Sequence, residues 1–194
     1  MRLIKLYEDF NYERSSLDDL RNNLVEHGIP VESWGTGNAK TLNHLYNEIK
    51  EKECSLSDEG EYLVRYIEFV GVKVYYQEND ALYSLKEDRQ EFNDGRVRKR
   101  SMPSSVSEKM KSGEDPLVSA IRGVEEELGV KIQSSQLSKR RDIKYNGGSL
   151  SYPGLSTKYK GHQFSCYLNK EQFDINGYIE IQKDKKTFFV WEKI

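Results

Sequence analysis

A run of aromatic and β-branched residues between Tyr62 and Tyr76 limits most strongly what this chain can fold into. Residues of these types favour extended strands, and the run is long enough for one bent strand or for two strands broken near Gly71. The same strand signal recurs in three later regions, at residues 81–86, at residues 96–101 and at least twice within residues 158–192. The chain is therefore expected to build a sheet of several strands.

Helical patterns lie on both sides of this strand region. Ser16, followed three residues later by Asp19, is typical of a helix N-terminus. A second amphipathic helix is predicted near residues 39–51, a third at 116–128, and a short strand at 1–8. Strands around a central helix, preceded by two helices, favour a mixed α/β domain.

Length and composition narrow the class of protein. The 194 residues fit one domain with an appendage, and 30 Lys and Arg against 32 Asp and Glu argue against a dedicated nucleic-acid binder, whose surface is usually strongly basic. The apolar runs are shorter than the roughly 20 residues of a membrane span, and the N-terminus lacks the apolar core of a signal peptide. Cys54 and Cys166 are too few for a disulfide framework or a zinc knuckle. We therefore expect a soluble, cytoplasmic protein with free thiols and no membrane association.

The third predicted helix carries clear boundary signals. Asp115 suits the N-cap, and Gly129 suits the position just after the last helical residue. A period of 3.6 residues directs one apolar stripe toward the core, formed by Leu117, Ile121, Val124 and Leu128. The same period places Arg122 on the outward face, together with Ser119 and Gly123.

Three consecutive glutamates, Glu125 to Glu127, crowd the last turn of this helix. The helix dipole disfavours negative charge there, by about 0.3–1 kcal/mol for each exposed group. Arg122, one turn before Glu126, offsets part of this cost, and a divalent cation held by carboxylate oxygens would offset more. The pattern leaves two interpretations open, a metal site and a solvated acidic helix end.

The segment from residue 108 to residue 130 resembles the signature of the Nudix hydrolases, G-x5-E-x7-R-E-U-x-E-E-x-G-U, in which U is an aliphatic residue. The positions that match are Glu114, Arg122, Val124, Glu126, Glu127, Gly129 and Val130. Two positions depart from the signature, since Glu108 stands where the first Gly belongs and Gly123 replaces the Glu that follows the arginine.

The resemblance implies a Nudix-like α/β/α sandwich with a mixed sheet over residues 61–194, and it leaves residues 1–60 as a helical N-terminal extension. It implies that the chain hydrolyses a pyrophosphate bond in a nucleoside diphosphate linked to another group. The catalytic set that it implies comprises Glu114, Arg122, Glu126 and Glu127. In this set the two adjacent glutamates bind Mg²⁺ or Mn²⁺, and the other two residues form a supporting salt bridge.

The glycine at position 123 removes one carboxylate from the implied metal site. An alternative therefore stays open, in which a catalytically degenerate Nudix domain binds a nucleotide as a sensor or scaffold. In either case the expected partner is a nucleotide-derived small molecule, and the sequence leaves open whether the chain forms a homodimer. A further Glu from the C-terminal half often acts as base in the family, and the candidates here are Glu171, Glu180 and Glu192.

Several residues outside the catalytic set are candidates for substrate binding. If residues 96–100 form a strand, its two-residue period directs three arginines to one face, where they would contact phosphates: Arg96, Arg98 and Arg100. Lys109 follows in the segment that enters the metal-binding loop. Tyr152 and Tyr159 lie after the signature, where Nudix domains often recognise the base and the sugar. A solvated strand face, RNA binding by the basic run and plain packing of the tyrosines are the competing interpretations.

Overall fold

The computed structural model describes residues 11–37, 39–60 and 62–194, so the strand predicted at 1–8 lies outside the described residues. The chain divides into two compact units. Unit 1 comprises Met1–Glu68 and Lys144–Lys160, and unit 2 comprises Phe69–Ile143 and Gly161–Ile194. The predicted domain boundary between residues 60 and 61 stays a prediction.

Unit 1 contains two of the predicted helices, α1 (Leu17–Glu26) and α2 (Leu42–Lys50). Helix α1 begins with a capping box, because the Ser16 hydroxyl accepts a hydrogen bond from the Asp19 backbone N–H while the Asp19 carboxylate accepts one from the Ser16 backbone. Helix α2 begins after Thr41, three residues later than the pattern near residue 39 predicts. The residue that marks its start is therefore the N-cap Thr41, whose hydroxyl accepts a hydrogen bond from the backbone N–H of residue 44.

The core of unit 1 packs the apolar stripes of these helices around two aromatic rings. The rings of Trp34 and Tyr152 lie 5.2 Å apart, and the Trp34 indole N–H donates to the carbonyl oxygen of Pro153 at 2.9 Å. Tyr152 is fully buried. The fully buried aliphatic side chains around them are Leu20, Leu24, Leu45, Ile49 and Leu155.

Nine strands are present among the described residues. They are β1 (Ser55–Asp58), β2 (Leu63–Glu78), β3 (Ala81–Phe92), β4 (Val97–Arg98), β5 (Val106–Lys109), β6 (Leu137–Gly148), β7 (Ser156–Tyr167), β8 (Tyr178–Ile181) and β9 (Lys185–Lys193). The strand order is β6-β7-β2-β3-β9-β8, with β1 and β5 paired with β2 and β4 paired with β3. The long β-branched run therefore forms one continuous strand, β2, and is not broken at Gly71.

Two predicted strands differ in length from the observed ones. Strand β3 continues to Phe92, beyond the predicted end at residue 86, because β9 pairs with it from Tyr83 opposite Lys193 to Phe92 opposite Lys185. The strand predicted at 96–101 is reduced to Val97–Arg98, because only these two residues pair with β3. Strand pairing with distant segments, which a local pattern does not contain, sets both lengths.

The third helix, α3 (Pro116–Leu128), has the predicted bounds. The Asp115 carboxylate accepts from the backbone N–H of Leu117 at 2.8 Å, and Gly129 ends the helix with a left-handed φ of 68°. The prediction that Ser119 and Gly123 face outward is wrong, because both are buried. Strand β5 covers that side of the helix, so the buried face is wider than the apolar stripe.

Unit 2 places its core between α3 and the sheet. The fully buried residues there are Val70, Val72, Val74, Val106, Ala120, Val124 and Cys166. The prediction of an α/β fold with a helical N-terminal segment is confirmed. Within the ranges that the structure describes, no helix is long and apolar enough to cross a membrane.

Both cysteines are expected to resist thiol reagents in the folded protein. Cys54 and Cys166 are both buried, and burial raises the pKa of the Cys166 thiol to about 12. At about pH 8 the reactive thiolate of Cys166 is therefore scarce as well as inaccessible. A colorimetric thiol titration should detect almost no reaction in the native protein, and both thiols should react in about 6 M guanidinium chloride. Rapid labelling of either thiol in native buffer would contradict this prediction.

Candidate functional site

A single arginine, Arg122 on α3, connects the segment before the helix to the helix itself. Its Nε and Nη2 groups donate to Glu114 Oε1 and Oε2 at 3.1 and 3.0 Å, which is the two-pronged geometry that favours arginine over lysine. Nη2 also donates to the backbone oxygen of Lys109 at 3.0 Å. The hydrogen bonds from Arg122 lower the pKa of the Glu114 carboxyl. The spacing of the signature therefore corresponds to a real clamp between the loop and α3.

The same guanidinium contacts two further carboxylates. Arg122 Nη1 donates to Glu108 Oε1 at 2.8 Å and to Glu126 Oε2 at 3.2 Å. Hydrogen bonding to Glu114 is the largest of the effects that raise the pKa of Arg122, and Glu108 adds to it. One positive charge thus faces three negative ones, and the surroundings of Arg122 carry a net negative charge.

A cleft of about 240 Å³ in unit 2 collects carboxylates from four elements. They are Glu87 of β3, Glu108 of β5, Glu127 of α3 and Glu180 of β8. The cationic side chains in the lining are Arg100 and Lys185. The lining therefore has more acidic than basic groups, and all four acidic groups offer oxygen donors.

Glu127 experiences this excess of negative charge most directly. Burial raises the pKa of its carboxyl to about 8, and the charges of Glu180, Glu108 and Glu87 act in the same direction. The backbone N–H of Ser107 donates to Glu127 Oε1 at 3.1 Å and opposes the shift only in part. An ionised Glu127 is therefore costly in this cleft unless a cation accompanies it.

Arg100 is the member of the predicted arginine row that lines the cleft. Its Nε donates to Glu87 Oε1 at 2.9 Å, and its Nη2 contacts Glu87 Oε2. The Glu87 side chain is 4% exposed, so the pair is largely sheltered from solvent. Arg100 therefore already compensates one of the four carboxylates.

The other two arginines of the row lie elsewhere. Arg96 pairs with Asp94 at 2.7 Å and lies over the Phe92 ring at 4.7 Å, while Arg98 is exposed on β4. The prediction that Arg96, Arg98 and Arg100 share one strand face is wrong, because the strand that would align them ends at Arg98.

The two tyrosines predicted to bind the substrate, Tyr152 and Tyr159, both lie in unit 1. The prediction that the Tyr152 ring contacts a base is wrong, because the ring is fully buried and packs against Trp34. Tyr159 is stacked on Tyr145 with ring centroids 4.6 Å apart. Lys109, at the end of β5 in unit 2, contributes its backbone oxygen to the Arg122 clamp. Substrate binding by Tyr159 and by the Lys109 side chain stays a prediction.

The two adjacent glutamates of the signature point in different directions. Glu127 lines the cleft, whereas the Glu126 side chain is 56% exposed, contacts Arg122 and lines a shallow depression beside Val118 and Ile121. Consecutive helical residues are about 100° apart, and this rotation separates the two carboxylates.

Among the candidate bases, Glu180 lines the cleft. Glu192 pairs with Lys86, and Glu171 lies in the turn after β7. Glu87 was not predicted from the sequence, because it lies in a charged stretch of β3 without a motif. Its low exposure and its position in the cleft depend on the pairing of β3 with β9.

The carboxylates of this cleft bear on whether it could hold a divalent metal ion. Over residues 11–37, 39–60 and 62–194, no group of three or more His, Cys, Asp or Glu side chains is placed to hold a metal ion. The donor chemistry nevertheless fits, since Mg²⁺ and Mn²⁺ prefer oxygen ligands and four carboxylates line the cleft. The residues present thus suit such an ion by donor type.

No protein-family model matches the chain, and no curated protein matches it. Several solved structures are similar to it. An Ap4A hydrolase of C. elegans in a binary complex is 12% identical, and the similarity covers 66% of this chain and 78% of that chain at a TM-score of 0.36. A MutT/nudix family protein from Enterococcus faecalis is 13% identical over 92% of this chain and 56% of that chain, with a TM-score of 0.45. The NUDIX domain of Shewanella oneidensis NrtR, complexed with ADP ribose, is 9% identical over 65% of this chain and 71% of that chain, with a TM-score of 0.40.

Two of these three similar structures carry a Nudix name, the MutT/nudix family protein and the NUDIX domain of NrtR. At such low identities and TM-scores they assign no role to any residue of this chain.

Proposed function

We propose that unit 2 is a divalent-metal-dependent hydrolase that cleaves a pyrophosphate bond in a nucleoside diphosphate linked to another group. The observation that carries this proposal is the position of Glu127, which lies in a cleft with Glu108 and Glu180 on a helix clamped by Arg122 and Glu114. Three residues of the signature support the proposal, because Glu114 and Arg122 form the clamp and Glu127 lines the cleft.

Within this proposal, Glu127 is the principal ligand for Mg²⁺ or Mn²⁺. When bound, the ion would neutralise charge on the phosphates and lower the pKa of an attacking water. Glu126 faces Arg122, so its contribution would come through the position of that guanidinium. Glu180, which also lines the cleft and comes from the C-terminal half of the chain, is the proposed base that accepts a proton from water.

Arg100 is the proposed phosphate-binding residue. Its guanidinium lines the cleft and is held in place by Glu87, which leaves it preorganised for a second anion. Arg122 does not line the cleft, so Arg100 is the arginine that substrate phosphates in the cleft would contact. The partner that fits this arrangement is a nucleotide-derived small molecule.

Replacing Arg100 with lysine is expected to raise KM about tenfold with little change in kcat, because lysine keeps a charge beside Glu87 but loses the planar fork that binds phosphate oxygens. Steady-state kinetics on the preferred substrate checks this. Arg98→Lys is the matched control, since Arg98 is exposed on β4 and does not line the cleft. Equal changes in KM for the two variants would contradict phosphate binding by Arg100.

The function itself is tested with a panel of nucleoside diphosphates linked to a sugar, a second nucleoside or an alcohol, each with Mg²⁺ or Mn²⁺. The expected products are a nucleoside monophosphate and the phosphorylated second group. In ¹⁸O-labelled water one of the two phosphates should carry the label, and mass spectrometry identifies both the bond and the label. A chelator should stop the reaction. The proposal fails if no member of the panel yields product with either ion.

A catalytically degenerate nucleotide-binding domain is the second candidate. Glycine at position 123 and the diversion of Glu126 to Arg122 favour it, because both remove a carboxylate from the cleft. Calorimetry distinguishes the two candidates, since tight binding of a panel nucleotide without product would favour a sensor or scaffold.

A further inference from the structure

The two departures from the Nudix signature, Gly123 and Glu108, are in contact. A Cβ atom added to Gly123 would lie 2.8 Å from Glu108 Cβ and 3.4 Å from both Glu108 Cγ and Val106 Cγ1. Carbon atoms that are not bonded prefer separations of about 3.5–4.0 Å. Glu108 Cβ is bonded directly to the backbone, so it cannot swing away as a side-chain tip can. At this separation of α3 and β5, only one of positions 108 and 123 can carry a side chain.

The side chain that occupies this space is a glutamate. Glu108 fills the volume beside Gly123 and accepts a hydrogen bond from Arg122 at 2.8 Å. It also lines the cleft that contains Glu127. The Nudix signature places glycine at the first of these positions and glutamate at the second, so this chain contains the same two residue types in exchanged positions.

The strand holds Glu108 in a defined position. Strand β5 pairs with β2 in a fixed register, with Glu108 opposite Val70 and its neighbour Ser107 opposite Gly71. The backbone N–H of Ser107 donates to Glu127, so the strand that carries Glu108 is also tied to the cleft glutamate of α3. A carboxylate on such an element is preorganised to the same degree as one on the helix.

We propose that Glu108 supplies the cleft with the carboxylate that position 123 lacks, so that the two departures are one exchange of a side chain between helix and strand. Glu108 is then a ligand for Mg²⁺ or Mn²⁺ beside Glu127. This inference rests on the proposed function, because it assigns a residue to the same cleft. It also accounts for the glycine at position 123 without a loss of metal binding.

The exchange is tested with the variants Glu108→Gln, Glu108→Gly, Gly123→Glu and the double variant Glu108→Gly/Gly123→Glu in the full chain. Mn²⁺ binding is measured by electron paramagnetic resonance, in which the signal of the free ion falls on binding, and the melting temperature is measured without metal. Glu125→Gln is the matched control, because the Glu125 side chain is on α3 but is 49% exposed and outside the cleft.

Glu108→Gln and Glu108→Gly are each expected to weaken Mn²⁺ binding at least about tenfold. Gly123→Glu alone should lower the melting temperature by about 4–8 °C, because it overpacks the contact with Glu108. The double variant should regain the melting temperature of the unmodified chain. Its Mn²⁺ affinity should return to within about threefold of the unmodified chain's, because the new side chain enters the space that Glu108 vacates. Glu125→Gln should change neither quantity.

Two results would overturn the inference while leaving the proposed function intact. One is unchanged Mn²⁺ affinity in Glu108→Gln when Glu127→Gln abolishes binding. The other is a double variant that binds Mn²⁺ no better than Glu108→Gly. If the unmodified chain binds no Mn²⁺, the inference and the proposed function both fail. The inference would be supported, and the proposed hydrolase activity contradicted, if Mn²⁺ binding is lost in Glu108→Gly and regained in the double variant while no variant and no unmodified chain hydrolyses a substrate.

Discussion

Replacing Glu127 with glutamine is expected to lower kcat/KM for pyrophosphate hydrolysis by about a thousandfold, which corresponds to about 4 kcal/mol of lost transition-state stabilisation. The amide is nearly isosteric with the carboxylate but carries no charge for a divalent ion. The variant should remain folded, because an uncharged group removes the repulsion from Glu180, Glu108 and Glu87 that raises the pKa of Glu127.

Glu126→Gln is the matched control for this prediction. The two glutamates are adjacent on α3, yet only Glu127 lines the cleft, and Glu126 contacts Arg122 from the exposed side. We expect the control to lower kcat/KM no more than about tenfold, as for an exposed ion pair that positions another group. Steady-state kinetics and the melting temperature of both variants provide the measurement. An equal loss of activity in the two variants would show that both carboxylates act on the metal.

Local signals explain why the sequence predicts α3 so well. The Asp115 cap and the left-handed Gly129 act within one turn of the helix ends, and both are visible as residue types at fixed spacing. The clamp between Glu114 and Arg122 is likewise encoded by an interval of eight residues that the helix start makes rigid. These features require no knowledge of distant segments.

Other parts of the cleft depend on strand pairing between distant segments. Glu87 and Glu180 reach it because β9 pairs with both β3 and β8, which no local pattern encodes. The predicted arginine row does not form for the same reason, since Arg98 is the one arginine of the row that pairs with β3. The aromatic type of Tyr152 and its position after the signature suggested ligand contact, whereas its surroundings in unit 1 bury it.

The contact between Gly123 and Glu108 shows a further limit of the linear pattern. Read along the chain, the signature has two separate defects, and each one argues against activity. In three dimensions the two residues touch, so a gain at one position offsets a loss at the other. A motif scored position by position treats coupled residues as independent and therefore misjudges such a site.

Replacing Arg122 with lysine is expected to lower the free energy of unfolding by about 2 kcal/mol and the melting temperature by about 4–8 °C. The guanidinium donates to Glu114, Glu108, Glu126 and the backbone oxygen of Lys109, and a lysine ammonium cannot reach all of these acceptors at once. The loss of activity should be larger than the loss of folded protein accounts for. The loop that carries Glu114 and the strand that carries Glu108 both lose their attachment to α3 in this variant.

Arg140→Lys is the control, since Arg140 is exposed and its guanidinium contacts only the Tyr75 hydroxyl, at 3.4 Å, among the hydrogen bonds of the described residues. Thermal denaturation followed by circular dichroism gives the stability change, and Mn²⁺ titration at a temperature where both variants are folded gives the effect on the cleft. We expect weaker Mn²⁺ binding in Arg122→Lys and none of these changes in Arg140→Lys. A stable Arg122→Lys variant with normal Mn²⁺ affinity would show that the carboxylates hold their positions without the clamp, and that strand pairing and the hydrogen bond from Ser107 suffice to orient Glu108 and Glu127.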